Sequence, residues 1–364
     1  MSYKILGKLP DPFSFESEKR MSADEWYSRR DEIFEKIAKI EFGGMPKRPE
    51  EVKVVRISMP SETGAIITYL VTAKAGCGSI SFLLDISAPS GPIDGSVRYP
   101  VMLTGDGCYN NCESDVILAT QERGIAVARF NRLIFANDYK DNGRTNGIYE
   151  LFPENDSFTA ISAWAWGYSV AVDALLQIPH VDGENIGITG HSRGGKTVLL
   201  AAAADTRIKF VCANNSGCHG AASHRLIGLD KERSETLADM IPIIPHWLGK
   251  ELFEYAGKEE TLPYDMHFFG ALIAPRYYMQ AEGMQDYWIN PRGAWYNFLG
   301  VRAAYEYLGC SDNAAAWFRP GTHRHKLPDF TEFLNFMKAK LENKPTPEHF
   351  KINPYPDMDL KIEW

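Results

Sequence analysis

The chain has 364 residues, of which 45% are hydrophobic and 24% are charged, and its formal net charge is −8. This composition is typical of a globular protein with room for one large α/β domain. The negative charge argues against nucleic acid and anionic membranes as partners, and no apolar run approaches the length of a membrane span.

The chain begins with a polar, helix-forming segment. Residues 1–13 lack the apolar core of a signal peptide, which predicts a cytoplasmic protein, or a secreted one if a leader has been removed. Ser22 and Glu25 have the spacing of a capping box, within a helical extension predicted over 1–50. The apolar residues that follow at helical spacing are Trp26, Ile33, Ile37 and Ile40.

Strand-forming runs fill the next region, over 51–99. They are separated by Pro, Gly and Ser turns, and they lie at Val52–Met59, Ala65–Thr72 and Ser79–Ser87. Consecutive strands joined by short turns predict an antiparallel meander.

Strands alternate with helices from 100 to 340, which we predict to be the catalytic core of a single domain that ends in a tail over 341–364. The predicted strands are Val101–Thr104, Ile125–Phe130, Asn185–Thr189, Lys209–Ala213, Tyr277–Ala281 and Ala315–Arg319. The clearest helix is Phe158–Ile178. Such alternation predicts an α/β fold with a mostly parallel sheet and helices on both faces. Functional residues are then expected at the carboxyl ends of the strands.

One motif stands at such a strand end. The strand Asn185–Thr189 leads into Gly190–Gly194, and an alanine-rich helix follows at Lys196–Ala204. A G-x-S-x-G motif between a strand and a helix is typical of the nucleophile elbow of the α/β-hydrolase fold, which makes Ser192 the candidate nucleophile. The alternative is a helix N-cap without a chemical role.

A serine nucleophile needs a base, and the base needs an acid to orient it. His323 follows a glycine turn after the last predicted strand and is the preferred base over His325, with a solvated basic loop as the alternative. The acid is expected after the strand Tyr277–Ala281, where Asp286 and Glu282 are both present. We prefer Asp286 because Glu282 follows the strand directly and can still point beneath the sheet.

Other residues near these strand ends are candidates for binding the substrate. Arg193 can add a positive charge to the oxyanion hole or hold a carboxylate product, although it can also pair with a structural acid. Gly105 lies in the loop that usually supplies the second oxyanion donor. The tryptophans that can stack on sugar faces, each of them also a candidate for the core, are Trp164, Trp166, Trp247 and Trp288.

Histidines and cysteines give no pattern of metal ligands in the sequence. The pair Cys108 and Cys112 lacks a second pair at zinc spacing, and we interpret all six cysteines as reduced thiols that mostly serve packing. His191 is expected to pack under the elbow. Four further histidines are interpreted as hydrogen-bonded polar residues without a catalytic role: His219, His224, His246 and His267. The sequence therefore predicts neither a metal nor a cofactor.

Together these motifs resemble the bacterial branch of the glucuronoyl esterases, carbohydrate esterase family fifteen. The matching segments extend over most of the chain and include Leu9–Phe13, Glu25–Ile33, Trp164–Gly167, Ala171–Asp173, Gly190–Lys196, Asn215–Cys218, Pro245–Trp247, Ala274–Arg276, Asp286–Gly293 and Gly321–His323. The family's elbow reads G-[CH]-S-R-x-G-K, which is more specific than G-x-S-x-G alone.

The resemblance implies a serine esterase that works without a metal and cleaves esters of (4-O-methyl-)glucuronic acid. It implies that Ser192 is the nucleophile, His323 the base, Arg193 a contributor to the oxyanion hole and Lys196 a ligand of a sugar hydroxyl. Fungal members carry their acid after the strand that follows the elbow helix, where this chain has Asn214–Ser216, so Asp286 is expected to replace it. The family's oxyanion loop is matched only loosely, by Gly105–Asn111.

Alternatives to a glucuronoyl esterase remain open at this point. A deacetylase of acetylated sugars such as acetylxylan and a general carboxylesterase can share the same motifs. A sugar-binding protein that has lost catalysis is disfavoured because Ser192, Asp286 and His323 are all present. The expected partner is a small-molecule or oligosaccharide ester, with no nucleic acid or membrane involved, and the sequence leaves the oligomeric state open.

Overall fold

The computed structural model describes residues 2–17, 19–58, 66–109, 112–358, 360–362 and 364. Of the predicted strands and the expected oxyanion loop, four residues lie outside the described residues: Met59, Ala65, Asn110 and Asn111. Among the described helices, none is both long and apolar enough to cross a membrane.

Eleven strands and eight α-helices make up the regular structure of the described residues. The strands are β1 (Tyr3–Ile5), β2 (Glu51–Arg56), β3 (Ile66–Ala75), β4 (Gly78–Ser87), β5 (Tyr99–Thr104), β6 (Ala126–Arg129), β7 (Val181–His191), β8 (Ile208–Asn214), β9 (Leu226–Gly228), β10 (Tyr277–Gly283) and β11 (Ala314–Arg319). The helices are α1 (Ala23–Phe42), α2 (Ser114–Gln121), α3 (Ala160–Leu175), α4 (Arg193–Ala204), α5 (Leu237–Ile243), α6 (His267–Ile273), α7 (Pro291–Tyr307) and α8 (Leu327–Leu341).

Nine of these strands form one sheet, in the order β11-β10-β8-β7-β5-β6-β4-β3-β2. The neighbours from β11 to β6 pair in parallel, whereas β6, β4, β3 and β2 pair antiparallel. Strands β1 and β9 form a separate two-stranded antiparallel sheet. The predicted mostly parallel α/β-hydrolase sheet and its antiparallel meander are confirmed.

Both faces of the sheet are covered by helices, as predicted. Along β5, Val101 and Leu103 belong to the apolar core that includes α1, α3, α4, α6 and α7. Met102 faces the other way, into a second core with α2 and α8. Since successive side chains of a strand point to opposite faces, a strand buried on both faces reads as a continuous apolar run.

The N-terminal extension packs onto the same core. Helix α1 begins at a capping box in which Ser22 and Glu25 cap each other, and it ends at Gly43, whose φ is 72°. Its Arg30 side chain is buried and donates hydrogen bonds to the backbone carbonyls of Leu272 and Ala203. These bonds fix α1 against α6 and α4.

Two predicted helices differ from the observed ones at their ends. Helix α3 is shorter than predicted, because the Thr159 side chain caps it by accepting from the Ser162 N–H. Helix α4 begins at Arg193 rather than Lys196, so the elbow serine stands at the helix start. Helix termini are poorly predicted by periodicity because capping and tight turns decide them.

Candidate active site

The elbow holds Ser192 in a backbone conformation that few residues adopt. Its φ is 57° and its ψ is −122°, between the end of β7 and the start of α4. The Ser192 N–H donates to the Asn214 carbonyl at 2.9 Å, and the Ser192 carbonyl accepts from the N–H groups of Gly195 and Lys196. A positive φ at a residue other than glycine costs energy and is common where a catalytic group must be exposed.

Close contacts with backbone and with a buried side chain explain the glycines on either side of Ser192. A Cβ at Gly190 would overlap the Gly194 carbonyl, and a Cβ at Gly194 would overlap the carboxylate of Asp106. Asp106 is buried, accepts from the His191 N–H at 2.8 Å and pairs with the buried Arg132. The elbow therefore rests directly on this ion pair.

His323 and Asp286 form a close pair beside the elbow. The distance from His323 Nδ1 to Asp286 Oδ2 is 2.5 Å, and Asn215 Nδ2 donates to the same oxygen at 2.7 Å. Because a carboxylate only accepts hydrogen bonds, Nδ1 carries the hydrogen and Nε2 is left as the basic nitrogen. Asn215 lies in the segment after β8 where fungal relatives were expected to carry their acid.

Glu282 occupies a different environment from Asp286. It lies within β10, is fully buried, and neither carboxylate oxygen has a hydrogen-bond partner among the described residues. Burial, together with the charge of Asp286, raises the pKa of Glu282 well above its usual value. Glu282 is therefore buried within the sheet, where ionisation is disfavoured, while Asp286 reaches the imidazole.

His325 is buried and His191 is partly buried beside His323. His325 stacks on Phe330 with 3.9 Å between ring centroids, and burial lowers its pKa well below the usual value. His191 hydrogen-bonds Asn214 through Nδ1 at 2.6 Å, and its ring lies 4.3 Å from that of His323. Burial and the nearby His323 lower the pKa of His191 to about 4, so that ring is neutral at ordinary pH.

The side chain of Arg193 is held by Asp138, an acid that no sequence pattern marks. Asp138 pairs with Arg193 and also accepts hydrogen bonds from Trp247 Nε1 at 2.8 Å and from His246 Nε2 at 3.2 Å. Burial opposes ionisation of Asp138, but the hydrogen bond from His246 and the charge of Arg193 outweigh burial and lower its pKa. Asp138 comes from an irregular loop between β6 and α3, where no periodicity singles it out.

Gly105 does not fit the role of second oxyanion donor. Its N–H donates to the hydroxyl of Tyr168 at 2.6 Å, so it is not free to reach a substrate oxygen. The expectation for Gly105 is therefore wrong, because a neighbouring helix already uses the donor. By contrast, Arg193 is the first residue of α4, and the first N–H groups of a helix have no partner within that helix.

Lys196 is buried and forms part of an ion pair. Its ammonium donates to the carbonyls of Ser216, at 2.6 Å, and Cys218, and it lies 3.6 Å from the carboxylate of Glu235. Glu235 also accepts from the Cys218 N–H at 2.7 Å. No sequence pattern marks Glu235, because it is one of several acids in the segment between β9 and α5.

These groups line one cavity of about 400 Å³. Its lining residues are Ser192, Arg193, Lys196, Ser216, Glu235, Met240, Ile243, Ile244, Trp247, Asp286, Trp288, Ile289 and His323. Trp288 is 43% exposed and Trp247 is largely buried. Trp164 and Trp166 are buried in the core and cannot stack on a sugar.

Comparison with known proteins identifies the family. A family model described as "Glucuronyl esterase, fungi" matches residues 71–309. A "4-O-methyl-glucuronoyl methylesterase" of Cerrena unicolor is 30% identical, over 98% of this chain and 74% of the relative.

Solved structures give the same result. A glucuronoyl esterase of carbohydrate esterase family 15 from Caldicellulosiruptor kristjansonii is 27% identical with a TM-score of 0.81, covering 98% of each chain. A serine-to-alanine mutant of the glucuronoyl esterase from Sporotrichum thermophile, in complex with methyl 4-O-methyl-β-D-glucopyranuronate, is 25% identical with a TM-score of 0.77, covering 97% of this chain and 94% of that one. The chain belongs to the glucuronoyl esterase family of carbohydrate esterases, with the α/β-hydrolase fold.

Proposed function

We propose that this esterase hydrolyses esters of (4-O-methyl-)glucuronic acid through Ser192, His323 and Asp286. The observation that carries the proposal is a single cavity in which the strained elbow serine and the His323–Asp286 pair face the buried Lys196–Glu235 pair. The first three residues supply nucleophilic catalysis, and the last two supply hydrogen-bonding groups suited to sugar hydroxyls. The printed names of the relatives point to the same substrate class.

The reaction begins when Ser192 Oγ attacks the ester carbonyl. Nε2 of His323 takes the hydroxyl proton, and Asp286 stabilises the imidazolium through Nδ1–H. The alcohol leaves with a proton from His323, and the uronoyl group stays on Ser192 as an acyl-enzyme. A water molecule, deprotonated by His323, then attacks this ester and releases the uronic acid.

Negative charge on the carbonyl oxygen develops near Arg193. The N–H of this residue lies at the start of α4, where the helix also contributes a partial positive charge. Its guanidinium is fixed by Asp138 and lies 4.8 Å from the ring of Trp247, measured from Cζ to the centroid. A cation held in place before the reaction stabilises the transition state without reorganisation.

The uronoyl part of the substrate is assigned to the side of the cavity that carries Lys196 and Glu235. The Lys196 ammonium donates hydrogen bonds and the Glu235 carboxylate accepts them. A sugar hydroxyl can do both, so it can accept from Lys196 and donate to Glu235. Trp288, exposed at the rim, offers an apolar face for the sugar ring. An acetyl group has no hydroxyl for this pair to bind, whereas a uronoyl group has several, which favours a uronate ester over an acetate.

The test compares two substrates on one enzyme. We expect kcat/KM for a methyl or benzyl glucuronate ester to exceed that for p-nitrophenyl acetate, and Ser192→Ala to abolish turnover of both. Faster hydrolysis of the acetate would favour a deacetylase or a general carboxylesterase. Sugar binding without turnover of either substrate would favour a binding protein.

The partner that follows from this assignment is a small-molecule or oligosaccharide uronate ester. The cytoplasmic location expected from the sequence stays a prediction. Fractionation of the native host, with immunodetection of the protein in each fraction, tests it directly.

A further inference from the structure

A cluster of buried metal-binding groups lies behind the active-site cavity. Cys218, His219 and His224 each place a ligand atom within 4.8 Å of the others, and all three side chains are buried. Cys218 Sγ lies 3.4 Å from His224 Nδ1. The cluster stands apart from the Ser192–His323–Asp286 group and has no part in the mechanism given above.

One buried carboxylate orients both imidazole rings. Glu41, from α1, is 2.7 Å from His219 Nδ1 and 3.3 Å from His224 Nε2, and it accepts the hydroxyl hydrogen of Tyr264 at 2.6 Å. Because a carboxylate only accepts, the ring nitrogens facing it carry hydrogens. In neutral rings, the remaining lone pairs are then His219 Nε2 and His224 Nδ1. A carboxylate that fixes the tautomer of two histidines is a common partner of metal-binding histidines.

With both rings neutral and no metal bound, the cluster has too few hydrogens to satisfy its lone pairs. The Cys218 thiol has one hydrogen, which can satisfy one imidazole nitrogen only. His219 Nε2 in fact has no hydrogen-bond partner among the residues that the structure describes. Leaving a buried polar atom unpaired is costly, and such atoms require an explanation.

A bound Zn²⁺ would accept the lone pairs of both His219 Nε2 and His224 Nδ1, so neither nitrogen would need a hydrogen. With a Zn–S bond of about 2.3 Å and a Zn–N bond of about 2.05 Å, a tetrahedral angle separates sulfur and nitrogen by about 3.6 Å. The observed separation of 3.4 Å between Cys218 Sγ and His224 Nδ1 is close to this value. A divalent ion also balances the charges of one thiolate and the Glu41 carboxylate. Sulfur and imidazole donors select Zn²⁺ over Mg²⁺ or Ca²⁺, which prefer oxygen.

We propose that Cys218, His219 and His224 form a structural site for Zn²⁺, with Glu41 holding the two histidines in place. Binding forms a Zn–S bond, and the thiol proton is released to water. The three side chains fill three of the four tetrahedral positions, and a water molecule taken up with the ion fills the fourth. Because all three side chains are buried, the ion enters during folding and stays bound. Because the Cys218 backbone contacts both Lys196 and Glu235, the ion fixes the wall of the cavity that carries this pair.

The first test measures metal content. The wild type, Cys218→Ser and His219→Asn are produced in zinc-supplemented medium and passed over a chelating column to remove loosely bound metal. The zinc content per chain is then measured by inductively coupled plasma mass spectrometry. The asparagine amide keeps a donor toward Glu41 but removes Nε2. The matched control is Cys212→Ser, which replaces an equally buried thiol outside the cluster. We expect about one Zn²⁺ per chain in the wild type and the control, and almost none in the other two variants.

The second test requires only the wild-type chain, so it holds even if the variants fold poorly. Protein produced in medium with Co²⁺ in place of Zn²⁺ should show a thiolate-to-cobalt charge-transfer band and the strong visible bands of tetrahedral Co²⁺. Wild-type protein that contains no zinc and shows no cobalt bands would overturn the proposal. So would full zinc content in folded Cys218→Ser.

Discussion

At the scale of single residues, the backbone and the side chain of Ser192 affect different properties. The strained backbone affects stability, and the hydroxyl is needed for catalysis. Its positive φ is acceptable to glycine but strained for serine and alanine. This strain is the cost of exposing the hydroxyl above the sheet, and it suggests a test that distinguishes the two properties.

We predict that Ser192→Ala and Ser192→Gly both lower kcat on the order of 10⁴-fold or more. The glycine variant should also be more stable than the alanine variant by about 1 kcal/mol, because it relieves the strain. Ester hydrolysis and urea unfolding of the purified variants measure the two effects. An alanine variant that keeps a tenth of wild-type turnover would exclude Ser192 as nucleophile.

The two acids near His323 give a second prediction at this scale. Asp286→Asn should lower kcat by roughly 10²- to 10⁴-fold, because the amide no longer fixes the imidazole tautomer. Glu282→Gln should leave kcat nearly unchanged, since the side chain is buried, has no hydrogen-bond partner among the described residues and does not contact His323. Both variants are assayed on the same glucuronate ester near neutral pH. A larger loss for Glu282→Gln would reverse the assignment.

At the scale of elements, the active-site arginine and the acid that holds it come from two different elements, α4 and the loop between β6 and α3. Helix α4 presents Arg193 beside the nucleophile, and the loop brings Asp138 to hold the guanidinium. Asp138 also binds His246 and Trp247, which come from the segment after α5. Three separate parts of the chain therefore fix one positive charge.

We predict that Arg193→Lys lowers kcat by about 10²-fold, the usual cost of losing one oxyanion donor, with a smaller change in KM. Lysine keeps the charge but loses the planar fork that bridges Asp138 and the cavity. Arg233→Lys is the control, because Arg233 lies over Trp288 at the rim and is largely exposed. Steady-state kinetics on a glucuronate ester measure both. Equal kinetics for Arg193→Lys and the wild type would remove the guanidinium from the oxyanion hole.

At the scale of the whole molecule, both ends of the chain dock onto α6. His267 Nε2 donates to the Pro10 carbonyl at 2.9 Å, and its ring stacks on Trp364 with 5.6 Å between centroids. Burial lowers the pKa of His267 to about 4, against the opposing charge of Asp265. The neutral His267 ring therefore helps to hold Pro10 and Trp364 against α6.

This lowered pKa predicts a loss of stability in acid. The unfolded chain binds a proton at His267 below about pH 6.5 and the folded chain only below about pH 4, so stability falls as the pH drops through this window. The whole shift corresponds to roughly 3 kcal/mol, at about 1.4 kcal/mol per pH unit. His267→Gln keeps a donor for Pro10 but does not titrate, so the stability advantage of the wild type should shrink between pH 7.5 and pH 4.5.

Urea unfolding at both pH values measures this difference. His349→Gln is the control, because His349 is a half-exposed histidine paired with Glu332. A constant difference between wild type and His267→Gln across the window would show that His267 is not held neutral by the fold.

The sequence by itself determined the nine strands of the large sheet and their order along the chain, and it singled out the candidate nucleophile and base. Apolar runs and turn residues give every strand of the large sheet, because burial on one or both faces dictates the pattern of side chains. The elbow is partly local, since Gly190 is required by its close contact with the Gly194 carbonyl, whereas Gly194 is required by the carboxylate of the distant Asp106. Ser192 and His323 could be named for that reason.

Only the tertiary structure decided which groups meet. Asp286 contacts His323 while Glu282 is turned into the core, and Gly105 gives its N–H to Tyr168, a residue 63 positions away. Asp138 and Glu235 come from irregular loops without a periodic pattern, and Glu41 lies on the predicted helix α1, where nothing in the sequence marks it. Each of the three acquires its partner from a distant element. Contacts of this kind depend on how helices and loops pack over the sheet, and a local pattern holds no information about that packing.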